Sequence, residues 1–313
     1  MPWSRKHVIG LADWSREEIQ AVLAVARYYK EFLQRAPAAS SDTLRGCTVL
    51  NLFFEPSTRT RMSFELAGLR LGARVVNFDG EFSSLLKGES LRDTIRTLNA
   101  YQVDAMIIRH SLTGAPLMAT GHTTASVINA GDGMHEHPTQ GLLDLFTIME
   151  QKGRIEGLHV VIVGDVLHSR VVRSDLHGLI TMGARVSLVG PPPLVPPYFR
   201  DLGAEIHHYL DPVLPEADIL CVLRIQRERQ QKAYIPSLAE YTELYRITED
   251  RLSRARPGVL VMHPGPMNRD VEISAAVADS HRSLVLDQVT NGIAVRMALL
   301  HLLLRGEPDW IAS

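Results

Sequence analysis

The sequence predicts an α/β protein of two domains, each a parallel sheet flanked by helices, with a C-terminal helix packing back on the first domain. Three observations predict it. Short apolar runs alternate with helical patterns through the first 150 residues, the rhythm of parallel strands joined by helical crossovers. That rhythm restarts after Gly153 and Gly157. A final helical pattern, 288–305, contains no proline and follows the last strand-like run. The boundaries expected are 1–150, 151–287 and 288–313.

The first helix is expected over 15–35. Ser15 with Glu18 three residues on forms a capping box, and Pro37 within a small-residue linker, 36–41, stops the helix. Strands are expected at 47–54, 74–78, 103–108 and 124–129, with helices at 58–71, 90–100, 114–119 and 139–150. The last of these joins the two domains. In the second domain strands are expected at 158–164, 185–189, 204–208, 218–223 and 258–262, with helices near 169–182, 196–202 and 248–255. From 224 to 248 the sequence is charged and irregular, with Arg224, Arg227, Arg229 and Lys232 inside it, and reads as a long loop. Loops longer than about 15 residues in a compact domain are usually functional or disordered. Arg224 and Gln226 directly follow a strand's C-terminal end, where open α/β sheets bind ligands.

Bulk properties narrow the class of function. The 313 residues are 45% apolar and 22% charged, as in globular proteins with sizeable cores. A net charge of −2 gives no general attraction to nucleic acid or to an anionic membrane. Charge on a substrate must then be met by local arginines. Cys47 and Cys221 lie in apolar runs and read as reduced core residues. The N-terminus lacks the apolar stretch of a secretory signal. The longest apolar segment, 292–304, is interrupted by Arg296 and His301 and is too short to cross a bilayer. A cytoplasmic protein is expected.

The most telling stretch is Phe53-Phe54-Glu55-Pro56-Ser57-Thr58-Arg59-Thr60-Arg61. It joins an apolar strand to a helical pattern marked by Met62, Leu66 and Leu69 and ended by Gly72. The first backbone N–H groups of a helix have no internal partner, and the helix dipole makes that end positive. Ser57, Thr58 and Thr60 add hydroxyls there, and Arg59 and Arg61 add guanidinium groups. Serine or threonine before a helix is commonly only a cap. Two arginines in a first turn weaken the helix unless an anion offsets them. The junction therefore reads as a phosphate site. A second strand end, Val160-Val161-Ile162-Val163-Gly164-Asp165, supplies only the first glycine of a dinucleotide fingerprint, so no nicotinamide cofactor is expected.

Phe-Glu-Pro-Ser-Thr-Arg-Thr-Arg followed by Ser63-Phe64-Glu65 resembles the carbamoyl-phosphate signature of the aspartate/ornithine carbamoyltransferase family. Further matches follow in family order: 83–89, Arg109-His110, His137-Pro138-Thr139-Gln140, Gly164-Asp165 with Arg170, Arg224-Ile225-Gln226, and His263-Pro264-Gly265-Pro266. The resemblance runs from about residue 7 to about residue 305. It implies carbamoyl transfer: an amine attacks carbamoyl phosphate, an oxyanion forms, and phosphate leaves, with no metal or other cofactor.

The same resemblance distributes roles. Phosphate falls to Ser57, Thr58, Arg59 and Thr60, with Arg109. The carbonyl oxygen falls to Thr60, Arg109 and His137, and Arg59, Thr60, Arg109 and His137 form the catalytic set. Gln140 and the backbone carbonyls of Gly265 and Pro266 would accept from the carbamoyl NH₂. Arg170, Arg224, Gln226 and Lys87 would hold the acceptor amine. Ser83 and Lys87 match a mobile loop that in the family reaches a neighbouring subunit's site, which implies a homotrimer.

Family members differ in the acceptor. The ornithine-type members carry Ser-Met-Gly after the second-domain strand and a His-Cys-Leu-Pro segment. This chain has Arg224-Ile225-Gln226 and His263-Pro264-Gly265-Pro266 instead. Two arginines suit two carboxylates, since each guanidinium can clamp one carboxylate bidentately. L-Aspartate is the acceptor expected, giving N-carbamoyl-L-aspartate on the route to pyrimidines. The alternatives are another acceptor, such as an ornithine-type amine, or a catalytically silent scaffold homologue. Regulatory or dihydroorotase-like chains are open as partners.

Overall fold

Parallel strands need a long crossover between them, and the chain supplies one between successive strands in each of two units. The computed structural model describes residues 3–79, 88–226, 234–235 and 237–308. The chain divides into Met1–Phe146 with Val289–Ser313, and Thr147–Gln288.

In the first unit, α1 (Arg16–Arg35) opens on the expected capping box: Ser15 accepts from the Glu18 N–H, and Glu18 accepts from the Ser15 N–H. The strands β1 (Thr48–Phe53), β2 (Arg74–Asp79), β3 (Ala105–His110) and β4 (Ser126–Asp132) form a parallel sheet in the order β2-β1-β3-β4. Between them run α2 (Thr58–Arg70), α3 (Leu91–Asn99) and α4 (Ala115–Thr120), and α5 (Pro138–Lys152) follows β4. Leu50, Leu52, Ile95, Met106, Ile108 and Val127 pack into a core between sheet and helices. The register Leu52↔Ile108 and Phe53↔Arg109 makes Arg109 the first charged residue beyond the buried part of β3, level with the end of β1.

Helix α2 buries a different face from the one its apolar spacing suggests. Thr60, Ser63, Phe64, Ala67 and Gly68 point inward. Met62, Leu66 and Leu69 are 52%, 38% and 49% exposed.

Helix α10 (Val285–Arg305) starts three residues before the expected position and returns to the first unit against α1, as the fold class requires. The Tyr29 hydroxyl meets His301 Nδ1 at 2.7 Å, and Arg305 Nε donates to the Thr43 carbonyl at 2.9 Å. Burial pushes the Tyr29 phenol up to about 12 and the His301 imidazole down. Both therefore stay neutral at pH 7.

The second unit holds β5 (His159–Val163), α6 (Arg170–Thr181), β6 (Arg185–Val189), β7 (Glu205–His207), β8 (Ile219–Val222), α7 (Leu238–Tyr245), α8 (Glu249–Arg254), β9 (Leu260–Met262) and α9 (Ala275–Ala278). Its sheet is parallel, ordered β7-β6-β5-β8-β9. Two expectations need correction. The segment 196–202 is a 3₁₀ turn, Pro197–Arg200, rather than an α-helix, because Pro196 and Pro197 withhold backbone donors. The stretch read as one loop, 224–248, contains α7. Ser237 accepts from the Glu240 N–H at 3.1 Å, and Tyr241 and Tyr245, one turn apart, are buried. The charges ahead of that cap hid the helical signal behind it.

Among the described residues, no helix is long and apolar enough to cross a membrane. Cys47 and Cys221 are both buried and neither is in a disulfide.

Candidate active site

The strand-to-helix turn after β1 brings Ser57 to the N-cap of α2. Ser57 has extended backbone, its side chain makes no capping bond, and no acidic residue stands in the first turn. Elsewhere the same chain caps in the ordinary way: Ser15, Ser90, Ser237, Thr248 and Ser274 each accept from a backbone N–H of their own helix. The capping interpretation of Ser57 therefore loses its physical basis. Arg59 is exposed at this end and Thr60 is buried.

Arg109 emerges from β3 beside this turn. Its Nη1 donates to the Ala130 carbonyl at 3.2 Å, and its Nε lies 3.6 Å from Glu55 Oε2. Glu55 thus stands beside a guanidinium of its own unit, and an incoming phosphate would compete with it for Arg109.

His137 follows β4 and caps α5, its carbonyl accepting from the Gln140 N–H at 2.9 Å. Pro138 takes the first helical position, where a missing N–H costs nothing. Buried Asp132 fixes the loop before it. Its carboxylate accepts from the Gly114 N–H at 2.7 Å, from Asn129 Nδ2 at 2.8 Å and from the Glu136 N–H at 3.2 Å. Burial alone would raise its pKa. The bonds from His135, Gly114 and Asn129 outweigh that and hold the carboxyl below the usual range. The Gln140 amide is oriented too: Nε2 donates to Asp144 at 3.1 Å. Only the NH₂ can face a carboxylate, so the amide oxygen is left as an outward acceptor.

In the second unit, the remaining candidates sit at the C-terminal ends of three adjacent strands, β5, β8 and β9. Arg170, buried, is the first residue of α6, whose N-cap Ser169 again makes no side-chain capping bond. Arg224 and Gln226 follow β8. Asp165 joins the two strand ends, its carboxylate accepting from the Gln226 N–H at 3.2 Å and meeting His168 Nδ1 at 2.8 Å. Gly164, with φ +128°, lets this turn pass the β8 end closely: a Cβ there would lie 2.9 Å from the Leu223 carbonyl oxygen.

Gly265 and Pro266 follow β9, joined by a cis bond. The Gly265 N–H donates to His263 Nδ1 at 2.8 Å, so the His263 proton sits on Nε2, 3.2 Å from Glu272 Oε1. The same Glu272 oxygen accepts from the Asn268 N–H at 2.6 Å. One buried carboxylate thus pins both ends of the loop carrying Gly265 and Pro266.

Ser83 and Lys87 lie outside the described residues. The positioning carboxylates Asp132, Asp144 and Glu272 were not foreseen, and Asp165 was named only as part of the Gly164-Asp165 motif, without its positioning role. Asp144 left a local signal, four residues after Gln140 on one helix face. Among the described residues no group of three or more His, Cys, Asp and Glu side chains is arranged to hold a metal ion.

Comparison with known proteins places this geometry in a family. Residues 6–150 match the aspartate/ornithine carbamoyltransferase carbamoyl-P binding domain, and residues 156–303 match the Asp/Orn binding domain. The chain is 54% identical to an aspartate carbamoyltransferase catalytic subunit of Moorella thermoacetica, over 98% of this chain and 99% of the relative. It is 52% identical to that of Syntrophobacter fumaroxidans, over 97% and 99%. Among solved structures, it resembles the aspartate transcarbamoylase of Trypanosoma cruzi in complex with carbamoyl phosphate and aspartate, with TM-score 0.87, 34% identity, and coverage of 96% of this chain and 98% of that one. The catalytic subunit from M. jannaschii superposes with TM-score 0.83 at 37% identity, covering 96% of this chain and 98% of that one. With both domain matches spanning nearly its whole length, the chain belongs to the aspartate/ornithine carbamoyltransferase family.

Proposed function

We infer that this chain transfers the carbamoyl group of carbamoyl phosphate to the amino group of L-aspartate, giving N-carbamoyl-L-aspartate and phosphate, a step toward pyrimidines. The observation that carries it is the start of α2, a helix N-terminus where Ser57 does not cap, Arg59 stands exposed and Arg109 arrives from the adjacent strand.

The first unit is assigned the carbamoyl phosphate. Ser57, Thr58, Arg59, Thr60 and Arg109 take the phosphoryl oxygens. Thr60, Arg109 and His137 face the carbonyl oxygen, where negative charge grows as the amine attacks. Donors placed for that charge strengthen their hold in the transition state, and losing one typically costs about 10²–10³ in rate. Gln140, Gly265 and Pro266 accept from the carbamoyl NH₂ and so fix the plane that is attacked. The departing phosphate takes the amine's proton. Arg170 and Arg224, with Gln226, take the two carboxylates of aspartate, and Arg–carboxylate pairing supports that acceptor over an ammonium-bearing one.

The smallest active assembly proposed is a cytoplasmic homotrimer in which Ser83 and Lys87 act in a neighbour's site. The exposed stripe of Met62, Leu66 and Leu69, on the helix that opens at the phosphate turn, supports a subunit contact beside that site. The relatives' description as catalytic subunits supports a further partner chain, with regulatory and dihydroorotase-like chains as the two candidates proposed.

The test is product analysis with isotopically labelled carbamoyl phosphate and the purified chain. Label should enter N-carbamoyl-L-aspartate when L-aspartate is supplied and stay out of citrulline when L-ornithine is supplied. Label in citrulline, or no transfer to either amine, would refute the assignment.

A further inference from the structure

Arg296 interrupts the apolar run 292–304 of α10, and its surroundings explain where its charge goes. It is 4% exposed on α10, with its guanidinium 5.1 Å from the centre of the Phe64 ring. Nη1 donates to Ser63 Oγ at 2.8 Å and Nη2 to Thr139 Oγ1 at 3.4 Å. Nε finds no partner among the described residues. No carboxylate lies within ion-pair distance of it among those residues, although Asp144 acts on it from farther off. Burial pulls the guanidinium down to about 10, still protonated at neutral pH.

A buried cation without a paired carboxylate is costly, and an apolar side chain of similar volume would fit a purely structural role better. The backbone has been shaped to admit it: a Cβ on Gly292, one turn earlier, would lie 2.5 Å from Nη1. The two hydroxyls it holds are informative. Ser63 lies one turn beyond Thr60 on the buried face of α2, and Thr139 stands between Pro138 and Gln140 in the first turn of α5. The single side chain of Arg296 therefore ties together the two helices whose starts carry the proposed phosphate and carbonyl ligands. Its charge sits at the first turn of α5 and the second turn of α2, where a cation opposes the α5 dipole unless an anion binds.

We infer that Arg296 is a positioning residue for carbamoyl phosphate, locking the starts of α2 and α5 together and adding buried positive charge that is balanced when the phosphoryl group binds. The inference rests on the phosphate assignment made above and adds to it a residue that does not touch the substrate. Asp144, which opposes that charge while orienting Gln140, sets how much of it the ligand feels.

Calorimetric titration of inorganic phosphate, with melting temperatures measured alongside, tests it on the full chain. Arg296→Met should weaken phosphate binding about tenfold, the scale of one charge acting across a partly screened interior, while the melting temperature holds or rises. Arg296→Lys, which restores the charge, should recover most of the affinity. Asp144→Asn, which keeps an acceptor for Gln140 and removes the opposing charge, should bind phosphate several-fold more tightly. Wild-type affinity in Arg296→Met, or equal losses in the Met and Lys variants, would overturn the inference. If Arg296→Met does not fold, Asp144→Asn decides: tighter binding sustains the inference, and unchanged or weaker binding overturns it. Arg59→Ala separates the two levels. Phosphate binding unaffected by Arg59→Ala removes the phosphate site and the inference together. Binding lost in Arg59→Ala but intact in Arg296→Met removes the inference alone.

Discussion

Arg59 and Arg224 stand at strand ends of different units and are assigned to different substrates. Arg59→Ala should lower kcat/KM for carbamoyl phosphate by about 10²–10³. Arg224→Ala should mainly raise the KM for aspartate. Steady-state kinetics with each substrate varied in turn would separate the two, and equal damage to both constants in both variants would remove the division of labour. These residues were legible in the sequence because each lies in a contiguous motif at a strand end. Asp132 and Glu272 were not, nor was the hold of Asp165 on the Gln226 N–H, since each acts on backbone brought to it by folding. Asp132 also gives a pH dependence. Its folded carboxyl titrates below the unfolded range, so its stabilisation is complete above about pH 4 and is lost as pH falls through the folded value. Asp132→Asn should flatten the acid limb of the stability curve. An unchanged limb would place the acid sensitivity elsewhere.

At the scale of elements, alternating strand and helix was readable because parallel strands impose it. The inward face of α2 was misleading. Its most apolar positions, Met62, Leu66 and Leu69, are exposed in the single chain, while Thr60 and Ser63 are buried. If that stripe serves the proposed homotrimer, α2 carries two hydrophobic demands at once, and periodicity alone cannot rank them. On that proposal Leu66→Glu should leave the chain folded but shift its native mass from trimer toward monomer. A trimer of unchanged stability would put the subunit contact on another surface. If Lys87 acts across that contact, mixing inactive Lys87→Ala and Arg59→Ala chains should restore some activity through hybrid sites. No recovery after verified subunit exchange would confine Lys87 to its own chain or leave it without a role.

A second titrating element lies across the sheet of the second unit. Buried His159 meets Ser187 Oγ at 2.8 Å through Nε2, and Arg185 Nη2 donates to its Nδ1 at 2.7 Å. Glu216 in turn pairs with Arg185. Burial first, and then the Arg185 charge, hold the imidazole below its ordinary range. The folded form thus binds its proton less readily than the unfolded one. The associated stability is present above about pH 6.5 and declines as pH falls through the folded value. Melting curves from pH 7.5 to 5 should fall more steeply for the wild type than for His159→Gln; parallel curves would exclude the histidine.

For the whole molecule, the two sheets and their helices were legible because each domain repeats the same strand–helix grammar. The helix α7 was masked by the charged run before it, and α10 began earlier than its proline-free pattern suggested. The proposed activity needs one site from each unit: phosphate at the start of α2, and a dicarboxylate at Arg170 and Arg224. The most direct measurement is calorimetry with a single molecule that joins a phosphonate to an aspartyl group, compared with inorganic phosphate and L-aspartate titrated separately. The joined molecule should bind several orders of magnitude more tightly than either half, because it resembles the reacting pair, and Arg59→Ala and Arg224→Ala should each remove most of that gain. Binding no tighter than inorganic phosphate, or insensitive to Arg224→Ala, would contradict the proposed activity.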